Sequence, residues 1–274
     1  MKARLLGAGV WARGLTCYAD LVDLIGSDKS LQNADFTTPA PASIPSRERR
    51  RAGLMISMAV EVAHQACDHA AVMKAEIPSV FTSAMCDTQI TDYMGRKLAG
   101  AEKLLSPTRF HNSVHNAASG YWSISAENRA SSSYIGASSH SVGAALLDVI
   151  SLVNDVHEPA LLVGYDLATE PPFDDVFAIQ ETMAFALVFA PLDFRSESDL
   201  NVMIELNCLQ IRDNPQAQAS QAEHTGLKHL AQANPMGSAI TLLERVADER
   251  LPRCVYISSS AHTMLKIDLA LTGA

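Results

Sequence analysis

The fold is decided by residues 131–153, S-S-S-Y-I-G-A-S-S-H-S-V-G-A-A-L-L-D-V-I-S-L-V, together with A-L-L-V-G-Y-D at 160–166. Residues 133–137 are β-like, and small residues at 138–141 form a turn after them. The turn opens a helix whose apolar residues recur at helical spacing: Val142, Leu146, Val149, Ile150 and Val153. The apolar run 160–163 predicts a buried strand, so this segment predicts a strand–turn–helix–strand unit.

Helix and strand patterns alternate along the rest of the chain. Gly53 to Ala71 predicts a helix with one apolar stripe, and residues 92–105 predict a second helix that stops at Pro107. A later helix is predicted over 237–249. The remaining patterns predict strands, and these lie at the N-terminus, 80–83, 184–190, 202–211, 255–258 and 264–270. This alternation predicts a layered α/β fold.

Composition limits the function classes. The 274 residues are 48% hydrophobic, enough for a sizeable core in one large or two small domains. The net charge of −9 argues against a general nucleic-acid-binding surface. The five cysteines, at 17, 67, 86, 208 and 254, form no C-x-x-C pair, which argues against a zinc site or a disulfide framework and fits a reducing cytosol.

The N-terminus and the apolar runs predict a cytoplasmic protein. Residues 1–15 have a charge but no long apolar run, so we interpret them as a first strand and not as a signal peptide. No apolar stretch reaches the length of a transmembrane helix. Gly7 and Gly9 form G-A-G without the third glycine of a dinucleotide fingerprint, and we interpret them as a tight turn after the first strand. We expect no cofactor and no metal.

The central unit resembles the nucleophile region of β-ketoacyl synthases, the condensing enzymes of fatty-acid and polyketide synthesis. In that family a strand, Ala-Cys, small residues and a helix precede a strand that ends in Gly-Gly. Counting back from Gly164 without gaps places Ser139 at the cysteine position, and a slip of one residue places Ser138 there. The segments I-P-S-R-E-R-R-R-A (44–52) and P-T-R-F-H-N-S-V-H-N (107–116) extend the resemblance over most of 1–192.

The resemblance implies a thiolase-like layered αβαβα fold with a complete first half and a reduced second half. We expect the first half at 1–195 and the shortened second half at 196–274, packed as one unit. The C-terminal third matches in outline only, through P-M-G-S-A-I-T-L-L-E-R-V (235–246) and Y-I-S-S-S-A-H-T-M-L-K-I-D-L (256–269).

The family's chemistry needs a thiolate for the acyl chain, two histidines for the malonyl carbonyl and enolate, and backbone N–H groups for the thioester oxyanion. A serine hydroxyl is a weak nucleophile at neutral pH without an adjacent base. Here a serine replaces the cysteine, A-N-P-M-G (233–237) lacks the histidine of the family's Gly-His pair, and S-S-A-H (259–262) replaces its glycine turn. No H-G-T-G-T motif is present. These departures imply a catalytically silent homologue.

Among such homologues, the chain most resembles the chain-length-factor subunits of type II polyketide synthases, and especially the short aryl-polyene forms. The resemblance implies pairing with an active β-ketoacyl synthase through the strand before the nucleophile, at Ser133, Tyr134, Ile135, Gly136 and Ala137. The subunit would stabilise its partner and shape the acyl tunnel.

The bulky tunnel candidates are Tyr121 and Trp122, whose other interpretation is plain core packing. Tunnel-shaping residues should be apolar and come from the first long helix, from residues 90–124, or from both. An acyl carrier protein is a further candidate partner. Because carriers are acidic, it would need a basic patch, and the densest one comprises Arg47, Arg49, Arg50 and Arg51.

Two other hypotheses remain open from the sequence. Ser139 could serve an active acyltransferase or an initiating condensing enzyme. The run G-A-S-S-H (136–140) could belong to a serine hydrolase completed by a histidine and an aspartate, with Asp148, Asp155 and Asp166 as candidates.

The histidines are not expected to form a metal site. His111 and His115 have metal-compatible spacing only on a helix, and we expect an irregular segment there. His140 is expected to be structural, and His262 to be a turn residue.

Overall fold

The structure is a computed structural model that describes residues 1–27, 29–31, 33–101, 103–214, 216 and 218–271. Its strands are β1 (Lys2–Ala12), β2 (Ser79–Thr82), β3 (Ser132–Ile135), β4 (Ala160–Asp166), β5 (Met183–Ala190), β6 (Val202–Gln210), β7 (Cys254–Ser258) and β8 (Thr263–Leu271). Its helices are α1 (Tyr18–Ile25), α2 (Ser46–Arg49), α3 (Leu54–Ala70), α4 (Thr88–Ala99), α5 (Pro107–Asn112), α6 (Ala117–Ser125), α7 (Ser141–Val156), α8 (Thr225–Ala233) and α9 (Gly237–Ala247).

The strands form one eight-stranded sheet in the order β3-β2-β4-β5-β1-β6-β8-β7. Strand β2 runs parallel to β3 and β4, whereas the other neighbouring pairs are antiparallel. Strands β3 and β7 are therefore the two edges of the sheet. The sequence-predicted closing strand pair is the antiparallel pair β7 and β8.

One face of the sheet packs against α1, α7, α8 and α9 in a single apolar core. The stripe that predicted α7 is buried at Val142, Leu146, Val149, Ile150 and Val153. Helix α7 contacts β2 and β4 near one edge of the sheet and also β7 at the other edge. The sheet therefore wraps around α7, which joins its two ends.

The opposite face packs against α3 and α6. Helix α3 lies so close to β1 that a Cβ on Gly7 would stand 2.1 Å from the carbonyl oxygen of Ala66, and one on Gly9 would stand 2.4 Å from that of Val62. The interpretation of these glycines as a turn was wrong. Both lie inside β1. Glycine is required at these positions because a side chain would collide with the backbone of α3.

Several sequence-predicted boundaries also needed correction. Helix α4 begins at Thr88, where the side chain of Asp87 accepts a hydrogen bond from the backbone N–H of Ile90, and it ends at Ala99. Pro107 does not end α4; it begins α5, with Ser106 as the N-cap. Helices α1, α6 and α8 had not been predicted.

No helix in the described residues is long and apolar enough to cross a lipid bilayer.

The contact between α7 and β7 can be tested with Gly143→Ala. A Cβ at Gly143 would stand 2.3 Å from the carbonyl oxygen of Ser258, which is backbone and cannot turn away. We expect a loss of about 1–3 kcal/mol in the free energy of unfolding. The matched control is Gly95→Ala on the exposed surface of α4, where a Cβ meets no atom within 4 Å. It should stabilise the chain by about 0.5–1 kcal/mol. Urea unfolding measures the change in the free energy of unfolding for both variants. Changes of the same sign would contradict this account.

Candidate functional site

The strand–turn–helix junction has the backbone geometry of a nucleophile elbow. Strand β3 ends at Ile135, a 3-10 turn spans Ser138–His140, and α7 begins at Ser141. Ser138 has a φ of +52°, a left-handed conformation that is strained for a side chain with a Cβ. Such a sharp strand-to-helix turn exposes its central side chain. The geometry favours Ser138 over Ser139 as the residue at the elbow.

The hydroxyls of Ser138 and Ser139 are exposed, and no base in the described part of the chain is hydrogen-bonded to them. The adjacent His140 turns to the second edge of the sheet, where its Nδ1 lies 2.8 Å from Oγ of Ser258. This hydrogen bond ties the elbow to β7 and gives His140 a structural role, as expected from the sequence.

The serine-hydrolase hypothesis also lacks its third group. Asp148 accepts a hydrogen bond from Ser133 Oγ at 3.2 Å, and Asp166 accepts bonds from the segment after β2. Within the described residues neither of them, nor Asp155, is hydrogen-bonded to a histidine. A hydrolytic triad is therefore not assembled around Ser138 or Ser139.

Strand β3 leaves one side of its backbone uncovered. The N–H of Ser79 donates to the carbonyl oxygen of Ser131 at 3.0 Å, which fixes the phase of the β2–β3 ladder. Because backbone groups alternate along a strand, those of Ser132 and Tyr134 point away from β2. Of the five residues predicted for a partner interface, Ser133, Tyr134 and Ile135 lie on the strand. Gly136 and Ala137 lie beyond its end, in the turn.

The two tunnel candidates, Tyr121 and Trp122, lie on α6 and are buried in the core that α3 shares with the sheet. The Trp122 ring meets the His64 ring edge to face at a centroid distance of 5.0 Å. Burial lowers the pKa of His64 to about 4, so this contact is with a neutral ring at neutral pH. The structure places both residues in core packing, and a tunnel role stays a prediction.

A cavity of about 820 Å³ lies where the sequence predicted tunnel walls, between the start of α3, α4, α5 and the loop after β4. Its lining is not apolar as expected. It includes charged and amide side chains: Arg51, Asp87, Asp92, Arg109, Asn112 and Glu170. Burial raises the pKa of Asp87, whose carboxylate caps α4. Apolar side chains line the rest of it, among them Leu54, Ile90, Leu167 and Phe173, so the lining is mixed.

The structure assembles a group that sequence reasoning missed, beside the elbow. The Sγ of Cys86 lies 3.1 Å from Nδ1 of His115 and 2.9 Å from the hydroxyl of Tyr134. The His115 and Tyr134 rings are stacked, with centroids 4.9 Å apart. We call these three residues the Cys86 cluster. The only sequence signal was a cysteine just after a predicted strand, because its two partners are distant in the chain.

The segment that carries Cys86 is held by the buried carboxylate of Asp166. That carboxylate accepts hydrogen bonds from Ser83 Oγ and from the N–H groups of Ala84, at 3.0 Å, and Met85, at 3.1 Å. Ser83 Oγ in turn accepts from the N–H of Cys86 at 2.7 Å. Burial raises the pKa of Asp166 to about 6, although these hydrogen bonds lower it in part.

His111 and His115 do not share a helix. His111 lies on α5, and His115 lies in the turn that follows it. The expected irregular segment is a short helix and a turn, and His115 is directed to Cys86. The helical arrangement that a metal pair would need is not formed.

Residues 27–247 match the family model for the β-ketoacyl synthase N-terminal domain. This match covers most of the chain. The chain belongs to the β-ketoacyl synthase family.

Solved ketosynthase structures share its fold over the full length. A chain of the ketosynthase (ApeO) complex with its chain length factor (ApeC) from Xenorhabdus doucetiae aligns with a TM-score of 0.67 and 18% identity, covering 98% of this chain and 99% of that one. A chain of the ishigamide ketosynthase/chain length factor aligns with a TM-score of 0.65 and 11% identity, covering all of both chains.

The AntDE:AntF structure, a type II polyketide synthase acyl-carrier protein with its ketosynthase, gives a TM-score of 0.66 at 11% identity, with 98% of this chain and 99% of that one covered. No curated protein matches the chain in sequence. These similarities establish the fold, and the predicted thiolase-like α/β class is confirmed.

In this β-ketoacyl synthase homologue, the segment 233–237, which the resemblance places at the family's Gly-His pair, contains a structural asparagine and no histidine. Asn234 is buried, donates to the carbonyl oxygen of Glu181 at 2.7 Å, and accepts from the N–H of Met236 at 2.8 Å. These bonds use its amide to start α9. His262 lies exposed in the turn between β7 and β8, as expected.

The Asp166 network predicts a pH dependence of stability. Between about pH 4 and pH 6 the folded chain keeps a proton on Asp166 that the unfolded chain has lost. The free energy of unfolding should therefore fall as pH rises through this window, by about 3 kcal/mol in total. Asp166→Asn should remove this loss, because its amide does not ionise.

Urea unfolding of the wild type and Asp166→Asn at about pH 4 and about pH 7 measures the effect. The matched control is Asp155→Asn, which changes an exposed carboxylate on α7. An equal pH dependence in the wild type and Asp166→Asn would contradict the assignment.

Proposed function

We propose that this chain is a non-catalytic, chain-length-factor-like subunit that pairs with an active β-ketoacyl synthase in polyketide-type chain elongation. The observation that carries the proposal is the elbow, which keeps its strained backbone but presents serine hydroxyls without a base. His140 is bonded to Ser258, and Asn234 is used in the start of α9. A serine in this setting is a weak nucleophile.

The edge strand β3 supports pairing with another chain. Its outward backbone groups, at Ser132 and Tyr134, have no hydrogen-bond partner within the described residues. The strand contains neither a charged residue nor a proline, the two devices that usually protect an edge. An uncovered and uncharged edge is a template for a strand of a partner.

Similarity in length supports the same assignment. The chain spans practically all of the matched chains in two structures of a ketosynthase with a chain length factor. The aryl-polyene kind is proposed from the resemblance in length and truncation pattern. The division into a first half at 1–195 and a shortened half at 196–274 is proposed on the same basis.

The subunit would act by stabilising its partner and by limiting the acyl tunnel. Tyr121 and Trp122 are buried in the core and do not line an open tunnel. We propose that they affect the tunnel wall indirectly, by fixing the position of α6. An acidic acyl carrier protein could bind the exposed Arg47 and Arg50 near α2. Arg49 is less available, because it donates to the carbonyl oxygens of Ala42 and Ile44.

Ser132→Pro tests the pairing. Proline removes a backbone N–H that points away from β2, so the internal sheet stays intact while the outer ladder loses a donor. Co-expressed with the ketosynthase encoded nearest to it, the wild-type chain should elute as a mixed complex in size-exclusion chromatography with light scattering. The variant should lose most of that complex.

The matched control is Ser132→Ala, which keeps the N–H and should keep the complex. Circular dichroism of both variants checks that the chain is folded. A folded Ser132→Pro chain that still forms the mixed complex would rule out β3 as the interface.

The double variant Ser138→Ala/Ser139→Ala tests catalytic silence. If neither hydroxyl takes part in chemistry, product formation by the reconstituted complex should stay within about twofold of the wild type. Product yield and chain length are measured by liquid chromatography and mass spectrometry. A loss of a hundredfold or more, the scale of a missing catalytic group, would instead assign an acyl-transfer role to the elbow.

A further inference from the structure

Beyond the proposed role, in which the elbow takes no part in condensation, we infer that the Cys86 cluster is a nucleophile–base pair that is itself acylated by a thioester, at a position separate from the elbow. The thiol of Cys86 lies within hydrogen-bond reach of the imidazole of His115. A nucleophile beside a base that is itself oriented by a third group is the arrangement required for covalent acyl transfer. Tyr134 is that third group, because its ring stacks on His115.

The thiol depends on the base. Burial raises the pKa of Cys86, so the thiol is protonated at neutral pH and needs His115 to take its proton. The hydrogen bond with the Tyr134 hydroxyl lowers that pKa in part. This hydroxyl donates to the carbonyl oxygen of Ser83 at 3.3 Å, so it would have to turn its proton to the sulfur once a thiolate forms. The nearby carboxylates of Asp166 and Asp87 add to the rise of the pKa, so removal of the thiol proton depends on His115.

The backbone presents the thiol in a fixed direction. Cys86 has a φ of +56°, the left-handed conformation that costs free energy in a residue with a Cβ. The strain is held by the hydrogen bond from its N–H to Ser83 Oγ, which itself donates to the buried Asp166. His115 is exposed and Cys86 is partly exposed, so a thioester can approach from solvent.

The proposed step balances without a further reactant. His115 takes the thiol proton, and the Cys86 sulfur attacks the carbonyl carbon of the thioester. The bond from that carbon to the donor's sulfur breaks, and the departing thiolate takes the proton from His115. The products are an acyl thioester on Cys86 and a free donor thiol.

The cluster also differs from the other cysteines. Cys67 is buried inside α3, and burial raises its pKa to about 12. Cys208 is exposed on β6 and has no histidine contact among those described. Cys208 therefore provides a matched control for non-specific thiol reactivity.

The test incubates the full chain with hexanoyl-CoA at pH 7 and measures its intact mass, alone and in the mixed complex. The wild type should gain one hexanoyl group that neutral hydroxylamine removes, as expected of a thioester. Cys86→Ser should lose this adduct, whereas Cys208→Ala and Ser138→Ala/Ser139→Ala should keep it. Peptide mapping locates the acyl group.

The role of His115 is tested by a pH profile. His115→Gln should slow acylation about a hundredfold at pH 7, and the rate difference between the variant and the wild type should narrow as the pH is raised, because the thiol then loses its proton to solvent hydroxide without a base. If His115 had only a structural role, the ratio of the two acylation rates would not change with pH. Thermal unfolding checks that each variant is folded.

Three results would overturn the inference: no adduct on the folded wild type, an adduct that persists in Cys86→Ser, or equal labelling of Cys208. An adduct on Ser138 or Ser139 would overturn it and would also contradict the silent elbow. Complex formation is measured separately by chromatography. A chain that is not acylated but still forms the mixed complex would overturn this inference and leave the pairing proposal standing.

Discussion

The close approach of α7 to β7 is the constraint on which the rest of the structure depends. Gly143 leaves room for the backbone of Ser258, and the hydrogen bond between His140 and Ser258 lies beside this contact. Together they bring the far edge of the sheet to the start of the helix. The sheet can therefore bury the apolar face of α7 along its length, and the position of the elbow is fixed by packing.

This constraint explains how an elbow can persist without its chemistry. The left-handed φ of Ser138 is required by the abrupt change from β3 to a helix whose position is already set. Serine satisfies that backbone as well as cysteine does, since both have a small side chain. Histidine at 140 then serves the junction of the two edges. The shape of the elbow is imposed by backbone packing, whereas its reactivity would depend on side-chain groups. The shape can therefore persist when the reactive groups are lost.

The pattern of apolar residues was sufficient for helices with one buried face and for strands buried on both faces. The stripes of α3 and α7 and the apolar runs of β4 and β5 predicted those elements within a few residues. It failed for α8, where the polar residues that precede the helix concealed its short apolar stripe. The interpretation of Gly7 as a turn residue was also wrong, because glycine is required both in tight turns and where a helix packs closely on a strand.

The candidate site was less predictable, since it depends on contacts between distant segments. The elbow could be located from local sequence, but its exact residue required a dihedral angle. Cys86 is 29 residues from His115 and 48 from Tyr134, and no local pattern links them. They meet because β2 and β3 are neighbours in parallel, which places the chain after β2 beside the end of β3.

The two edges of the sheet differ in a way that decides where a partner can bind. The outer side of β7 is already covered: Tyr256 donates its N–H to Ser220 Oγ at 2.9 Å, and its carbonyl oxygen accepts from the N–H of Ser220 at 2.8 Å. Within the described residues β3 has no such cover. A second chain that adds a strand would therefore have to displace an existing segment at β7, but would only have to displace water at β3.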